Sequence, residues 1–165
     1  MSTKQENALV EIGRNSFSAI AEMVAALEVD YDRLQELNDM ASGSAWNGTA
    51  EESEERAALR AAAGDCESRE AAEQRIHDDP LSLEYRTGWI VADQWGEDDK
   101  APAEFCLLLT TGGPAVRIIG ELDSGEVESA RLEVQDWGTP WTEHRLAAEE
   151  NEVLLAYCRC FYFGG

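Results

Sequence analysis

The chain has 165 residues, enough to bury a core without disulfide or metal staples, and thirty-four acidic against thirteen basic residues give it a formal charge of −21. That balance argues against direct binding to nucleic acid or to an anionic membrane, since both need clustered Lys and Arg, and it favours a basic partner. The charge divides as −5, −9 and −7 over residues 1–50, 51–100 and 101–165, so it belongs to the body of the protein rather than to a tail, and it exceeds what solubility alone asks.

The opening MSTKQENALV lacks the apolar run of a signal peptide, and no segment approaches the roughly twenty apolar residues of a membrane span, so a soluble, cytoplasmic protein is expected. Reduced thiols are then the default for Cys66, Cys106, Cys158 and Cys160. Two lysines against eleven arginines, with abundant alanine, fit a GC-rich bacterial or phage genome or a salt-adapted one.

In chain order, Asn15-Ser16 offers an N-cap, and Phe17, Ile20, Val24, Leu27, Tyr31 and Leu34 follow at spacings of three and four. This pattern predicts one long amphipathic helix with Glu22, Glu28, Asp32 and Glu36 outside. The same six residues serve either packing within the chain or a homodimer seam. Residues Asn38 to Thr49 read as a turn-rich connection. Glu51, Glu52, Glu54 and Glu55 then open a second helix through Ala63, acidic at the end the helix dipole favours but denser than capping requires. After Gly64-Asp65, Ser68 caps a third helix from Arg69 to His77, which Asp78-Asp79-Pro80 ends. Leu59 and Ile76 are the only large aliphatics of this polar middle third, which is no place for a catalytic centre.

Strand character returns at Leu83–Val91, with Leu83, Tyr85, Thr87 and Trp89 on one face, and a charged loop from Gly96 to Pro102 follows. Both faces of Glu104–Thr110 are apolar, which predicts a strand covered on each side. Ala115–Leu122 and Glu128–Gln135 alternate as half-exposed strands around an Asp123-Ser124-Gly125 turn. Trp137 and Trp141, bent around Gly138-Thr139-Pro140, are expected to be largely buried. Glu149 to Glu152 start a final helix carrying Leu154, Tyr157, Cys158 and Phe161, and the apolar ending is expected to dock on the sheet. The expected architecture is α+β in a single domain, 1–165. An antiparallel sheet of about four strands packs with a long N-terminal and a C-terminal helix, and residues 1–80 form a mainly helical acidic half with a small acidic helical insertion.

Three constellations carry weak chemical signals. Asp136, Glu143 and His144 beside the two tryptophans have the residue types of a small hydrolase, although Asp136 equally serves as a turn cap. Cys158-x-Cys160 with His77 or Cys66 lacks the spacing of a zinc site, because C-x-C in a helix points its sulfurs apart. Thr110-Thr111-Gly112-Gly113 has no following helix and no Lys-Ser/Thr, so it is a turn rather than a phosphate loop. The expectation is no catalytic residue, no metal and no cofactor.

TTGGPAVRIIGELD, LEVQDWGTPWTE and the ending FYFGG resemble an uncharacterised family of small acidic proteins encoded by phages, prophages and plasmids, over roughly the last sixty residues. The resemblance implies a setting in which anti-CRISPR and antirestriction proteins are common, many of them acidic DNA mimics. With the charge, it leads to the expectation of a non-enzymatic DNA mimic. It would present Glu51, Glu52, Glu54, Glu55, Glu67, Glu70 and Glu73 to the basic site of a CRISPR effector or restriction enzyme. The alternatives are a small hydrolase-like enzyme at the Asp136–His144 corner and an acidic interaction domain without mimicry.

Overall fold

A computed structural model describes residues 2–41, 46–90 and 101–163. The fold is α+β, and its elements run α1 (Thr3–Leu27), α2 (Tyr31–Met40), α3 (Ala50–Ala63), α4 (Arg69–Asp78), β1 (Ser82–Thr87), β2 (Pro102–Thr110), β3 (Ala115–Asp123), β4 (Glu126–Gln135), β5 (Thr142–His144) and α5 (Ala148–Cys158). They form two compact units, Met1–Ala21 with Ile76–Gly165, and Glu22–Arg75.

The first unit is built on an antiparallel meander of five strands in the order β1-β2-β3-β4-β5. Register puts Leu83, Leu107, Ile118, Leu132 and His144 in one row and Tyr85, Phe105, Gly120 and Ala130 in the next, all on one face. That face holds the core: Phe105, Leu107, Val116, Ile118, Leu132 and Val134 are buried, and α5 packs on β4 with Leu154, Leu155, Tyr157 and Cys158 buried. Phe163 is buried with its ring 4.6 Å from Phe105, so the apolar ending docks as expected. Tyr157 donates its hydroxyl to Asp79 at 2.6 Å, tying α5 to the segment after α4. At Gly13 of α1 a Cβ would strike the His144 ring, so helix and β5 approach closely because that position lacks a side chain.

The other face of the sheet is polar. Glu84, Cys106, Ile119 and Arg131 form one row, and Leu108, Arg117, Glu133 and Glu143 another. Cover on both sides of β2 was expected, but Cys106 and Leu108 are half-exposed, shielded by long flanking Arg and Glu side chains instead of a second layer.

The second unit takes its buried positions from Met23, Val24, Ala26, Leu27, Leu34, Leu37, Ala63 and Ala72. The single helix expected from Phe17 to Leu34 is two helices. It begins at Thr3, where Ser2 and Gln5 cap one another reciprocally, and it breaks after Leu27, where the Asp30 carboxylate caps the Arg33 amide at 2.9 Å and starts α2. Asn15-Ser16 therefore lies inside α1. Ile20, Val24, Leu27 and Leu34 are buried within the one chain and Phe17 and Tyr31 are half-buried, which leaves no exposed stripe for a homodimer seam.

Two further expectations need correction. The sheet has a fifth strand, β5, and the first strand ends at Thr87 with its apolar residues Leu83 and Tyr85 exposed, because β1 is an edge, while Trp89 lies beyond the strand and is fully exposed. Val91, Ser42–Ala45 of the turn-rich connection and most of the charged loop lie outside the described residues.

Candidate partner-binding surface

The acidic helix α3 is held by its own first turn. Thr49 accepts from the Glu52 amide at 3.1 Å while the Glu52 carboxylate accepts from the Thr49 amide at 2.8 Å, a complete capping box. The Trp46 indole donates to the Thr49 carbonyl at 3.0 Å. The Arg56 guanidinium lies over the Trp46 ring and donates to Asn38 at 2.8 Å, tying α3 to α2 and to Trp46. Arg33 on α2 reaches across to α3 and grips Glu55 with two bonds, 3.2 and 2.9 Å, and also Glu36 at 3.1 Å. Hydrogen bonding to Arg33 holds the Glu55 carboxyl below its ordinary range, and the same bonds hold the guanidinium charged.

The seven carboxylates expected to face a partner thus separate into two groups. Glu52 is a cap, Glu55 belongs to Arg33, and Glu73 pairs with Arg69 at 3.2 Å. Glu70 is held low by its own backbone amide and by the Ser68 hydroxyl at the start of α4. Glu51, Glu54 and Glu67 are exposed and have no ion pair or side-chain hydrogen bond among the described residues. The second unit carries fourteen acidic residues and five arginines. Three of those arginines are committed: Arg33 to Glu55 and Glu36, Arg56 to Asn38, and Arg69 to Glu73 and the Leu27 carbonyl. The acid surplus is left facing solvent. Between α2 and α3 lies a groove of about 670 Å³ with Tyr31, Asn38, Arg56, Arg60 and Cys66 in its walls.

The Asp136 to His144 corner is not assembled as a catalytic group. His144 pairs with Leu132, and Asp136 lies four residues further on, just past the end of β4, roughly 13 Å away at strand spacing. Asp136 is a turn residue: its carboxylate accepts from the Trp137 amide at 2.8 Å, and its carbonyl accepts from the Thr139 hydroxyl at 2.9 Å. Glu143 pairs with Glu133 on the polar face, while its neighbour His144 turns to the core face toward α1, where burial and the nearby Arg14 lower the imidazole pKa. Trp137 is 77% exposed rather than buried, its indole laid against the backbone at Gly113 in the β2–β3 turn. Trp141 is half-buried because Arg117 stacks on it, 4.1 Å from the ring centre.

Arg117 links that tryptophan to Glu133, which it binds at 2.7 Å, and Arg131 binds the other oxygen at 2.9 Å. Burial raises the Glu133 pKa, but the bonds from Arg131 and Arg117 outweigh it and the net direction is down. A depressed folded-state pKa adds stability that is complete above the ordinary value of 4.5 and is lost as pH falls below it through the folded value. Glu133→Gln should therefore flatten the loss of stability on acidification below that pH, as read by urea unfolding across a pH series; an unchanged slope would refute the cluster's role.

None of the four cysteines is in a disulfide, and burial pushes the Cys158 thiol up. Among the described residues no His, Cys, Asp or Glu group is arranged to hold a metal, and no helix is long and apolar enough to cross a membrane. Comparison with protein-family models, with curated proteins and with solved structures finds no match.

Proposed function

We propose that this protein is a non-enzymatic acidic mimic of nucleic acid. It acts in the cytoplasm by occupying the basic nucleic-acid-binding site of a defence nuclease, in an anti-CRISPR or antirestriction role. The observation that carries the reading is the acid surplus of the Glu22–Arg75 unit, where Glu51, Glu54 and Glu67 stand exposed with no ion pair or side-chain hydrogen bond among the described residues. Carboxylates without a structural duty are free to meet Lys and Arg that otherwise bind phosphates, and the release of counterions from the partner's site adds to the affinity. The resemblance of the sheet-rich part to proteins of mobile elements supports the anti-defence setting. The hydrolase reading is disfavoured by the separation of Asp136 from His144 and by the opposite facing of Glu143 and His144.

The test follows from the division of the carboxylates. Reversing Glu52 or Glu55 disturbs a cap or an ion pair, whereas E51K/E54K/E67K alters only exposed groups, at a helix-dipole cost of about 0.3–1 kcal/mol for position 51. The triple variant should keep the melting behaviour of the parent and lose protection of a phage or plasmid against restriction or CRISPR interference. Equal protection by parent and variant would overturn mimicry through this surface and favour an acidic interaction domain without it.

A further inference from the structure

We propose that the outer edge of β1 is a self-association surface, joining two copies of this chain as antiparallel strands about Tyr85 so that their sheets become continuous. The sheet has two edges of different character. β5 is three residues long, too short to template another strand, whereas β1 is six residues long and among the described residues has a neighbour on one side only. The apolar face of the sheet also stops unfinished there. Leu83 and Tyr85 are 40% and 60% exposed, yet their cross-strand partners Leu107 and Phe105 are 0% and 2% exposed, so the core rows run out to solvent at β1. Edges of monomers are ordinarily blunted by lysine, proline or a bulge within the strand. Ser82–Thr87 contains neither lysine nor proline, its two charges Glu84 and Arg86 are of opposite sign, and its register shift is confined to the last pair, between Arg86 and Thr87, so Leu83 to Arg86 keep a regular edge.

What selects a second copy is the self-complementary order Glu84-Tyr85-Arg86. A two-fold axis at Tyr85 sets Glu84 of one copy opposite Arg86 of the other, twice, with the two tyrosines facing one another and Leu83 opposite Thr87. Moving the axis to residue 84 sets glutamate against glutamate, and moving it to 86 sets arginine against arginine. Arg86 is already bonded to Glu104 on β2, which holds its guanidinium on the polar face of the edge. The charge of −21 on each copy opposes association at long range, so pairing strengthens as salt rises to about 0.15 M, where the Debye length of ~8 Å screens the bodies more than the contacting pairs.

Sedimentation equilibrium of the full chain at that salt reads the outcome. The parent is expected at twice the chain mass, with E84R and R86E each at the chain mass, because each sets like charges opposite one another. An equimolar mixture of E84R and R86E is expected to return to twice the mass, since every pair across that interface is again of opposite sign. Glu84 makes no side-chain bond among the described residues, so E84R should melt as the parent does. A parent that stays at the chain mass at millimolar concentration, an E84R variant that remains dimeric, or a mixture that stays monomeric would each overturn the proposal.

Discussion

Replacing Leu107 with alanine is expected to lower the unfolding free energy by about 2–5 kcal/mol, the range for a buried leucine whose surroundings cannot collapse around the lost volume. Leu107 is fully buried in β2, between Leu83 and Ile118 in the row that crosses the whole sheet. Strands bonded on both sides hold the backbone against relaxation, so the effect should lie in the upper part of that range. Equilibrium unfolding in urea measures it directly. A loss below about 1 kcal/mol would mean that the site repacks and that β2 is not the centre of the core.

The second large effect comes from adding volume. A Cβ on Gly120 would meet both the Ser129 carbonyl of β4 and the Phe105 ring from β2, closer than carbon atoms approach. Neither neighbour can yield, because Ser129 is paired backbone and Phe105 is buried against Phe163. Gly120→Ala should therefore cost at least the upper part of the about 1–3 kcal/mol usual for overpacking. Gly13→Ala is the smaller clash, since most of the obstruction there is the His144 ring, which can turn, with only the His144 Cβ at 2.8 Å unable to swing away, and alanine returns up to about 1 kcal/mol of helix propensity. If Gly120→Ala were as mild as Gly13→Ala, the close approach of β3 to β4 and Phe105 would be wrong.

Much of the sheet was legible because alternation is a local signal. Val116 and Ile118 against Arg117 and Ile119 assign the buried and polar faces of β3 without knowledge of its neighbours. The Asp123-Ser124-Gly125 turn is equally readable, and Ser124 and Gly125 take the positive φ that a tight hairpin needs. What alternation cannot report is strand order. Leu83 and Tyr85 share the apolar face of their strand, as the alternation says, but as members of an edge strand they are exposed. β5 was missed because three residues after Pro140 carry no periodicity. The division of the first helix was missed for the opposite reason: the three-and-four spacing of Leu27, Tyr31 and Leu34 continues through the break, and only the Asp30 cap marks it. Ser2 and Gln5 formed a readable capping box at the true start of α1.

The candidate surface was legible as composition and only in part as roles. In the order Glu51, Glu52, Glu54, Glu55, the Thr49-x-x-Glu52 spacing is a readable capping box that marks the second as a cap, but nothing local tells that the fourth belongs to Arg33, since Arg33 lies on another helix. The tryptophan corner shows the same limit. Trp137 and Trp141 look alike in sequence, but one rests exposed against Gly113 and the other is covered by Arg117.

The most direct measurement of the proposed mimicry is displacement of a fluorescent DNA duplex from a candidate defence nuclease, followed by anisotropy as salt is varied. The account predicts that parent protein and DNA compete for one site, that inhibition weakens steeply between about 50 and 200 mM salt, as expected for contacts that replace phosphates, and that E51K/E54K/E67K releases the DNA site. A nuclease that holds protein and duplex together, or inhibition indifferent both to salt and to the triple charge reversal, would contradict it.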